Sequence, residues 1–140
     1  MDERPEAVIF DVDGTLALRG DRDPYDWSSA GADKPNGPVV RVLHALARSG
    51  IAIVYVSGRV EDARSITENW IDREIGVGGR LYLRRSGDTR RDAIVKRELH
   101  DQHIRNSFTV LMVFDDRNQV VRMWRDELSL PCFQVADGDF

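Results

Sequence analysis

The sequence predicts an α/β fold: a doubly wound, Rossmann-like parallel sheet with helices on both faces. Three observations carry that expectation. The apolar runs at 7–10, 51–56 and 109–114 are nearly continuous rather than alternating, the pattern of strands buried on both faces. Segments with apolar residues at helical spacing lie between them, and strands alternating with helices build parallel sheets. Each run also ends in polar residues: Asp11 and Asp13, then Ser57, then Asp115 and Asp116. In open parallel sheets, ligands bind beyond the carboxyl ends of the strands.

Residues 7–11 read as the first buried strand, and Gly14 allows a sharp turn just after Asp13. Residues 38–49 carry Val39, Val42, Leu43, Leu46 and Ala47 at helical spacing, with Gly50 placed to end that helix. Residues 51–56 are the second strand, followed by Ser57-Gly58-Arg59. A helix over 61–74 sets Ile66, Trp70 and Ile71 on one face. Residues 80–84 alternate as a short strand, and 92–104 are helical, with Ile94, Val95, Leu99 and His103 on the inner side. Residues 109–114 are the third buried strand, 118–128 a helix and 131–136 a last strand. The segment 16–37 breaks this rhythm. It lacks periodicity, and so long a segment in a compact domain is usually functional. Its place beside Asp11 and Asp13 makes it a short flap over the site.

For 140 residues a single domain, 1–140, is expected, with no stretch long enough for a large cap domain. A content of 41% hydrophobic and 31% charged residues suits a globular protein. No apolar run approaches the roughly 20 residues needed to span a bilayer. The polar, acidic start Met1-Asp2-Glu3-Arg4-Pro5 is no secretory signal. The single cysteine, Cys132, excludes an internal disulfide and fits a reducing compartment, so a cytoplasmic address is expected. The net charge of −4 argues against a general nucleic-acid-coating protein, but the charge is unevenly placed. Residues 1–33 hold nine acids against three arginines, and residues 80–105 hold eight Lys/Arg against four acids. An acidic segment suits a metal site and a basic one a phosphate-rich ligand; a solvated helix face would equally account for many of these arginines.

The chemistry concentrates in Asp11-Val12-Asp13-Gly14-Thr15. The period of a strand points Asp11 and Asp13 the same way. One carboxylate can attack, the other can handle a proton, and a hard divalent cation can sit against the acidic pair. Singly, each piece of the constellation has a plainer reading: an Asp after a strand is a helix cap, Ser57-Gly58 a turn, Lys96 a surface residue. Jointly they outline a phosphoryl-transfer centre. Hydrophobic patterning does not require carboxylates from both ends of the chain to meet, and their mutual repulsion calls for a cation.

Asp11-x-Asp13-Gly14-Thr15, Ser57, Lys96 and Asp115-Asp116 resemble the four signature motifs of the haloacid-dehalogenase-type phosphohydrolases. The string from Arg22 to Trp27, Ser57-Gly58-Arg59, Gly87 to Asp92, Asp115 to Arg125 and the closing Gln134 to Phe140 are similar to the 3′-phosphatase domain of phage polynucleotide kinase/phosphatase. That resemblance implies that Asp11 is the nucleophile and that Asp13 is the general acid and base. It implies a Mg²⁺ held by Asp11, the backbone carbonyl of Asp13, and Asp116, with Asp115 reaching it through water or orienting its neighbours. Lys96 would neutralise phosphate oxygens, Ser57 and Gly58 would contact them, Arg22 and Arg59 would grip them, and Asp92 would position Lys96 one turn away. Thr15 would orient Asp11. The implied substrate is a nucleic-acid 3′-phosphate end, DNA or RNA, with 2′,3′-cyclic phosphates also fitting.

No kinase segment precedes Met1, so the phosphatase is expected to stand alone or apart from a kinase or ligase partner, in a phage or bacterial cytoplasm. A homo-oligomer is compatible with the resemblance. A phosphatase of small metabolites on the same scaffold is the main alternative; a receiver-like domain that merely holds phosphate, and a catalytically idle assembly module, are two others. Trp70, Trp124 and Cys132 are assigned to the core, and His44, His100 and His103 lack ligand partners at suitable spacing. Tyr25 and Trp27 in the flap are candidates for stacking on a nucleobase.

Overall fold

In the computed structural model, which describes residues 2–140, five strands form one fully parallel sheet. They are β1 (Glu6–Phe10), β4 (Ala52–Val60), β5 (Arg80–Arg84), β6 (Thr109–Asp115) and β7 (Cys132–Gln134), ordered β5-β4-β1-β6-β7. Two further short strands, β2 (Ala17–Leu18) and β3 (Lys34–Pro35), pair antiparallel in the flap. The central position of β1 explains its continuous apolar run, because Ala7, Val8, Ile9 and Phe10 are all buried.

Two helices cover each face. On one side α1 (Gly37–Arg48) and α2 (Arg64–Trp70) bring Val39, Leu43 and Trp70 onto Val8 and Phe10. On the other, α3 (Asp92–Leu99) and α4 (Asn118–Arg122), with the turn that follows α4, bring Ala93, Val120 and Trp124 onto Ala7, Ile9 and Val54. Helix α1 starts with Pro38 in its first turn and is followed by Gly50 at φ +88°, the punctuation expected from the sequence. The chain builds outward from β1 to β4 and β5, then crosses to β6 on the opposite side of β1. The crevice where the winding reverses lies between the ends of β1 and β6, which is where Asp11, Asp115 and Asp116 sit.

Ile94 and His103, expected on the inner side of the 92–104 helix, are exposed, and the secondary structure departs from the sequence expectations in four places. First, β4 runs to Val60 instead of ending at Val56. Ser57 still pairs with Leu83, but Val60 is next in register with Arg84, so Gly58 and Arg59 form a bulge rather than a turn. Second, the last strand is confined to Cys132–Gln134. Third, three helices end in wider π turns, closed by the Gly76, Arg105 and Leu128 N–H groups on the Ile71, His100 and Met123 carbonyls. Over a single turn, apolar spacing cannot separate this geometry from an α-helix. Fourth, the flap is ordered by the β2–β3 ribbon and a 3₁₀ helix at Trp27–Ala32. It has no periodicity because its order comes from capping and tertiary hydrogen bonds: Asp26 accepts from the Ser28 N–H, and the Asn36 N–H donates to Leu16 O at 2.8 Å.

Trp70 and Trp124 are buried in the core as expected, and so is Cys132, whose thiol burial pushes up to about 12. No helix among the described residues is long and apolar enough to cross a membrane.

Candidate active site

The hydrogen-bond ladder of β1 with β6 continues one residue past the strand, where the Asp11 N–H donates to Phe114 O at 3.0 Å. That places the Asp11 carboxyl beside Asp115 at the end of the neighbouring strand. The chain then turns tightly on the Val12 carbonyl, which accepts from the Leu16 and Ala17 N–H groups at 2.9 and 2.8 Å. Gly14 is required in this turn on two counts. Its φ is +81°, and a Cβ there would collide with the Asp116 carboxylate. Thr15 Oγ1 donates to Asp11 Oδ2 at 3.0 Å, the orienting role expected for it.

Lys96 comes from α3 with its ammonium between two carboxylates. Its Nζ lies 2.7 Å from Asp11 Oδ1 and 3.0 Å from Asp115 Oδ2, and its side chain is 3% exposed. Asp115 is fully committed: Oδ2 also accepts from Trp124 Nε1 at 3.3 Å, and Oδ1 accepts the N–H of Asp116 at 2.8 Å. One oxygen each from Asp11, Asp115 and Asp116 lies within 4.8 Å of the others. Three carboxylates around one lysine leave excess negative charge in a buried place. Burial, then Asp115, raise the Asp11 pKa well above the usual carboxylate range against the pull of Lys96; burial raises Asp116 as well. Burial alone would lower the Lys96 pKa, but Asp11, Asp115 and Asp92 outweigh it and hold the ammonium charged. A divalent cation fits this donor set, since hard cations take carboxylate oxygens and would draw all three into the ionised form.

A second cluster forms around Asp13. Its carboxylate sits in the fork of Arg59, with Nε at 2.9 Å from Oδ2 and Nη2 at 2.7 Å from Oδ1. Arg22 Nη2 approaches Asp13 Oδ1 at 3.4 Å. Both arginines are also held by Asp33, which accepts two 2.8 Å bonds from Arg22 and a 3.3 Å bond from Arg59. Trp27 lies beneath both guanidinium groups, 5.4 Å from Arg22 and 5.3 Å from Arg59. Arg22 and Arg59 are therefore engaged with carboxylates, where the resemblance had them gripping phosphate. The Ser57 hydroxyl is buried beneath them and accepts the Arg59 N–H at 3.1 Å, leaving its own proton to donate.

Asp92 anchors a third cluster. It was expected to position Lys96 across one helical turn, but its carboxylate bonds Arg84, and Arg117 Nη1 at 2.9 Å, and reaches Lys96 only through charge. Those neighbouring cations outweigh burial and lower the Asp92 pKa. Gly58 permits this packing, for a Cβ there would lie 2.6 Å from Asp92 Oδ1, and its carbonyl accepts from Arg84 Nε at 2.9 Å. A cavity of about 920 Å³ opens above the three clusters. The flap supplies one wall through Leu18, Arg19, Tyr25 and Trp27, and Arg91 and Phe140 stand on others.

A model of the polynucleotide kinase PNKP phosphatase domain matches residues 5–140. The chain belongs to this phosphatase-domain family. It is also similar to a protein of Autographa californica nuclear polyhedrosis virus named as a bifunctional polynucleotide kinase/RNA ligase, 39% identical over 133 residues, which are 93% of this chain and 19% of that protein. Among solved structures, chains of the Pnkp1/Rnl/Hen1 complex and of the Pnkp1/Rnl/Hen1 RNA repair complex each match at TM-score 0.94 and 44% identity. The matches cover 99% and 98% of this chain, against 48% and 44% of those chains. A class C acid phosphatase from Bacillus anthracis shares the fold at TM-score 0.64 and 19% identity, over 85% of this chain and 54% of that one. This PNKP-type phosphatase domain thus spans about a fifth of its viral relative and about half of the chains in the repair complex.

The PNKP-type site brings together the residues picked from the sequence, Asp11, Asp13, Lys96, Asp115 and Asp116, with Ser57, Gly58, Arg59, Arg22 and Asp92 around them. Sequence reasoning missed Asp33, the second use of Trp124, and the pairing of Arg84 and Arg117 with Asp92. Arg84 did carry a signal, as a charged residue closing an apolar strand just as Asp11 and Asp115 do. Asp33 carried none, because the flap around it has no period.

Proposed function

We infer that this protein is a Mg²⁺-dependent polynucleotide 3′-phosphatase that works through an aspartyl-phosphate on Asp11. The observation that carries the reading is the placement of Lys96 Nζ between Asp11 and Asp115, with three carboxylate oxygens converging on one point beside it. Asp11, Asp116 and the Asp13 carbonyl would hold the Mg²⁺. When bound, the cation ionises the acidic trio and offsets charge on the phosphate oxygens. An Asp11 carboxylate oxygen attacks phosphorus in line, and the bond from phosphorus to the 3′-oxygen breaks. Lys96 faces the equatorial oxygens, where negative charge gathers. Asp13 gives its proton to the leaving 3′-oxygen, then takes one from the water that attacks the phosphorus and frees Asp11.

In the structure Asp13 accepts from Arg59 Nε and Nη2, a geometry that suits the carboxylate taking a proton in the water step. To act as the acid it must leave that fork, which also frees Arg59 N–H groups for a phosphate oxygen. The similarity to chains of an RNA repair complex supports RNA ends as substrate and a ligase working alongside. Release of inorganic phosphate, measured with and without Mg²⁺ on matched DNA and RNA 3′-phosphate oligonucleotides, tests the reading. Faster turnover of sugar phosphates or nucleoside 3′-monophosphates than of either oligonucleotide would overturn it in favour of a metabolite phosphatase.

The division of labour makes its own prediction. Asp13→Asn should lower kcat on an oligonucleotide by about 10²–10⁴-fold, the usual contribution of a general acid or base. With p-nitrophenyl phosphate, whose leaving group needs no proton, the mutant should still form the covalent intermediate, visible as a burst of nitrophenolate. An Asp13→Asn enzyme with no burst would exclude the acid role.

The cavity rim predicts where the polymer backbone lies. Arg91 is exposed, lines the cavity, and has no ion-pair partner among the described residues; its Nε merely approaches Gln119 Oε1 at 3.4 Å. Arg91→Ala should raise KM for an oligonucleotide several-fold and reduce the slope of log affinity against log salt by about one. Fluorescence anisotropy across a salt series reads that slope, and an unchanged slope would remove Arg91 from the backbone path.

A further inference from the structure

Three large aromatic side chains among the described residues are well exposed: Tyr25, Phe133 and Phe140. Phe133 has a ring partner, stacked on Phe114 with centroids 5.2 Å apart. The other two line the catalytic cavity. Phe140 comes from the opposite end of the chain to the flap, and the residue is 66% exposed. A phenyl ring left largely exposed at the rim of a site built from charges buries little apolar surface, so the fold gains little by holding it there.

It is nonetheless held. The Val135 N–H donates to Asp115 O at 3.0 Å, the Gly138 carbonyl accepts from the Asn118 N–H at 2.8 Å, and the Phe140 N–H closes onto Gly138 O at 2.9 Å. Arg117 then fixes the residue itself: its Nε donates to Phe140 O at 2.8 Å and its guanidinium carbon lies 5.1 Å from the ring centroid. The same Arg117 is tied to Asp92 at 2.9 Å and follows Asp116 directly in the chain. One face of the ring is therefore backed by a cation that is itself part of the site's ion-pair network, while the residue as a whole stays largely exposed.

We propose that the Phe140 ring is the platform on which the terminal nucleobase of the substrate stacks. This rests on the polynucleotide reading above and adds to it a residue that recognises the base rather than the phosphate. Every base has a π face, so such a platform distinguishes a nucleotide end from other phosphate esters without reading sequence. Arg117 behind the ring keeps the platform at a fixed distance from the acidic trio, which sets the reach from base to 3′-phosphate.

The test compares a 3′-phosphorylated oligonucleotide with one whose terminal nucleotide is abasic. In the wild type, kcat/KM should be about tenfold higher for the substrate carrying a base, mostly through KM. In Phe140→Ala that ratio should fall to about one, and in Phe140→Trp it should be restored, since the aromatic face is all that is needed. Phe140→Leu, which keeps an apolar tail, should behave as Phe140→Ala. A ratio that stays near ten in Phe140→Ala would overturn the proposal. So would a variant that lowers kcat equally on both substrates, because the tail would then act by holding Asp116 in place. Wild-type protein that hydrolyses sugar phosphates but neither oligonucleotide would defeat the polynucleotide reading itself, an outcome separate from either of these.

Discussion

Asp11→Asn is expected to lower phosphate release by at least about 10⁴-fold while leaving the fold intact, because it removes the nucleophile and nothing that holds the chain together. The amide oxygen still accepts from Lys96 Nζ, and the side chain keeps its size next to Thr15. Its effect on stability should be small or favourable when no divalent cation is present. Asp11, Asp115 and Asp116 crowd three carboxylates against one ammonium, and burial already raises the Asp11 pKa. Removing one of three like charges relieves that repulsion. In EDTA the variant should therefore match or exceed wild-type stability in urea unfolding. Added Mg²⁺ should stabilise the wild type, in which Asp11 and Asp116 both offer anionic ligands, more than the variant, which keeps only one of them. Phosphate release by Asp11→Asn at more than a hundredth of the wild-type rate would end the nucleophile assignment.

Lys96→Met reverses that balance. The side chain keeps its length and loses its charge, so Asp11, Asp115 and Asp116 face one another with no cation among them. Breaking a buried ion pair by removing one partner typically costs about 3–5 kcal/mol, and here two carboxylates lose the same partner. The variant should unfold at clearly lower urea than the wild type in EDTA, with Mg²⁺ recovering part of the difference. Activity should be lost in both conditions, because the metal replaces the charge but not the N–H donors facing the phosphate. A Lys96→Met protein as stable as wild type in EDTA would mean the trio is neutralised some other way. Taken together, the two substitutions separate catalysis from stability at residues 2.7 Å apart.

That Lys96, Asp11 and Asp115 meet at one place could be anticipated, because each sits where a strand or helix period puts it. Asp11 and Asp115 close apolar runs of the central strands, and Lys96 falls one turn into the helix that follows Asp92. Parallel topology then forces strand ends together, whatever the loops do. The hydrogen-bonding of Arg22, Arg59 and Asp92 could not be read that way. Each has several carboxylates within reach, and the choice among them depends on the flap, which is ordered by capping and by bonds to residues far along the chain. Asp33 shows the limit most clearly. It takes both arginines and, through its backbone carbonyl, the Trp70 indole N–H at 2.8 Å, yet it lies in a stretch with no apolar period at all.

The sequence by itself determined the layered α/β architecture, the strand ends at which chemistry gathers, and the Asp11, Asp13, Lys96, Asp115 and Asp116 set. The architecture and the strand ends follow from hydrophobic periodicity and backbone geometry, which are local and leave a visible pattern; the residue set rests as well on its likeness to the phosphohydrolase motifs. Only the tertiary structure decided which cation answers which carboxylate: Lys96 for Asp11 and Asp115, Arg59 for Asp13, Arg84 and Arg117 for Asp92. Ion pairing has no sequence period. It is settled by angstrom distances and by burial, and both appear only once the sheet, the bulge in β4 and the flap have brought distant residues together.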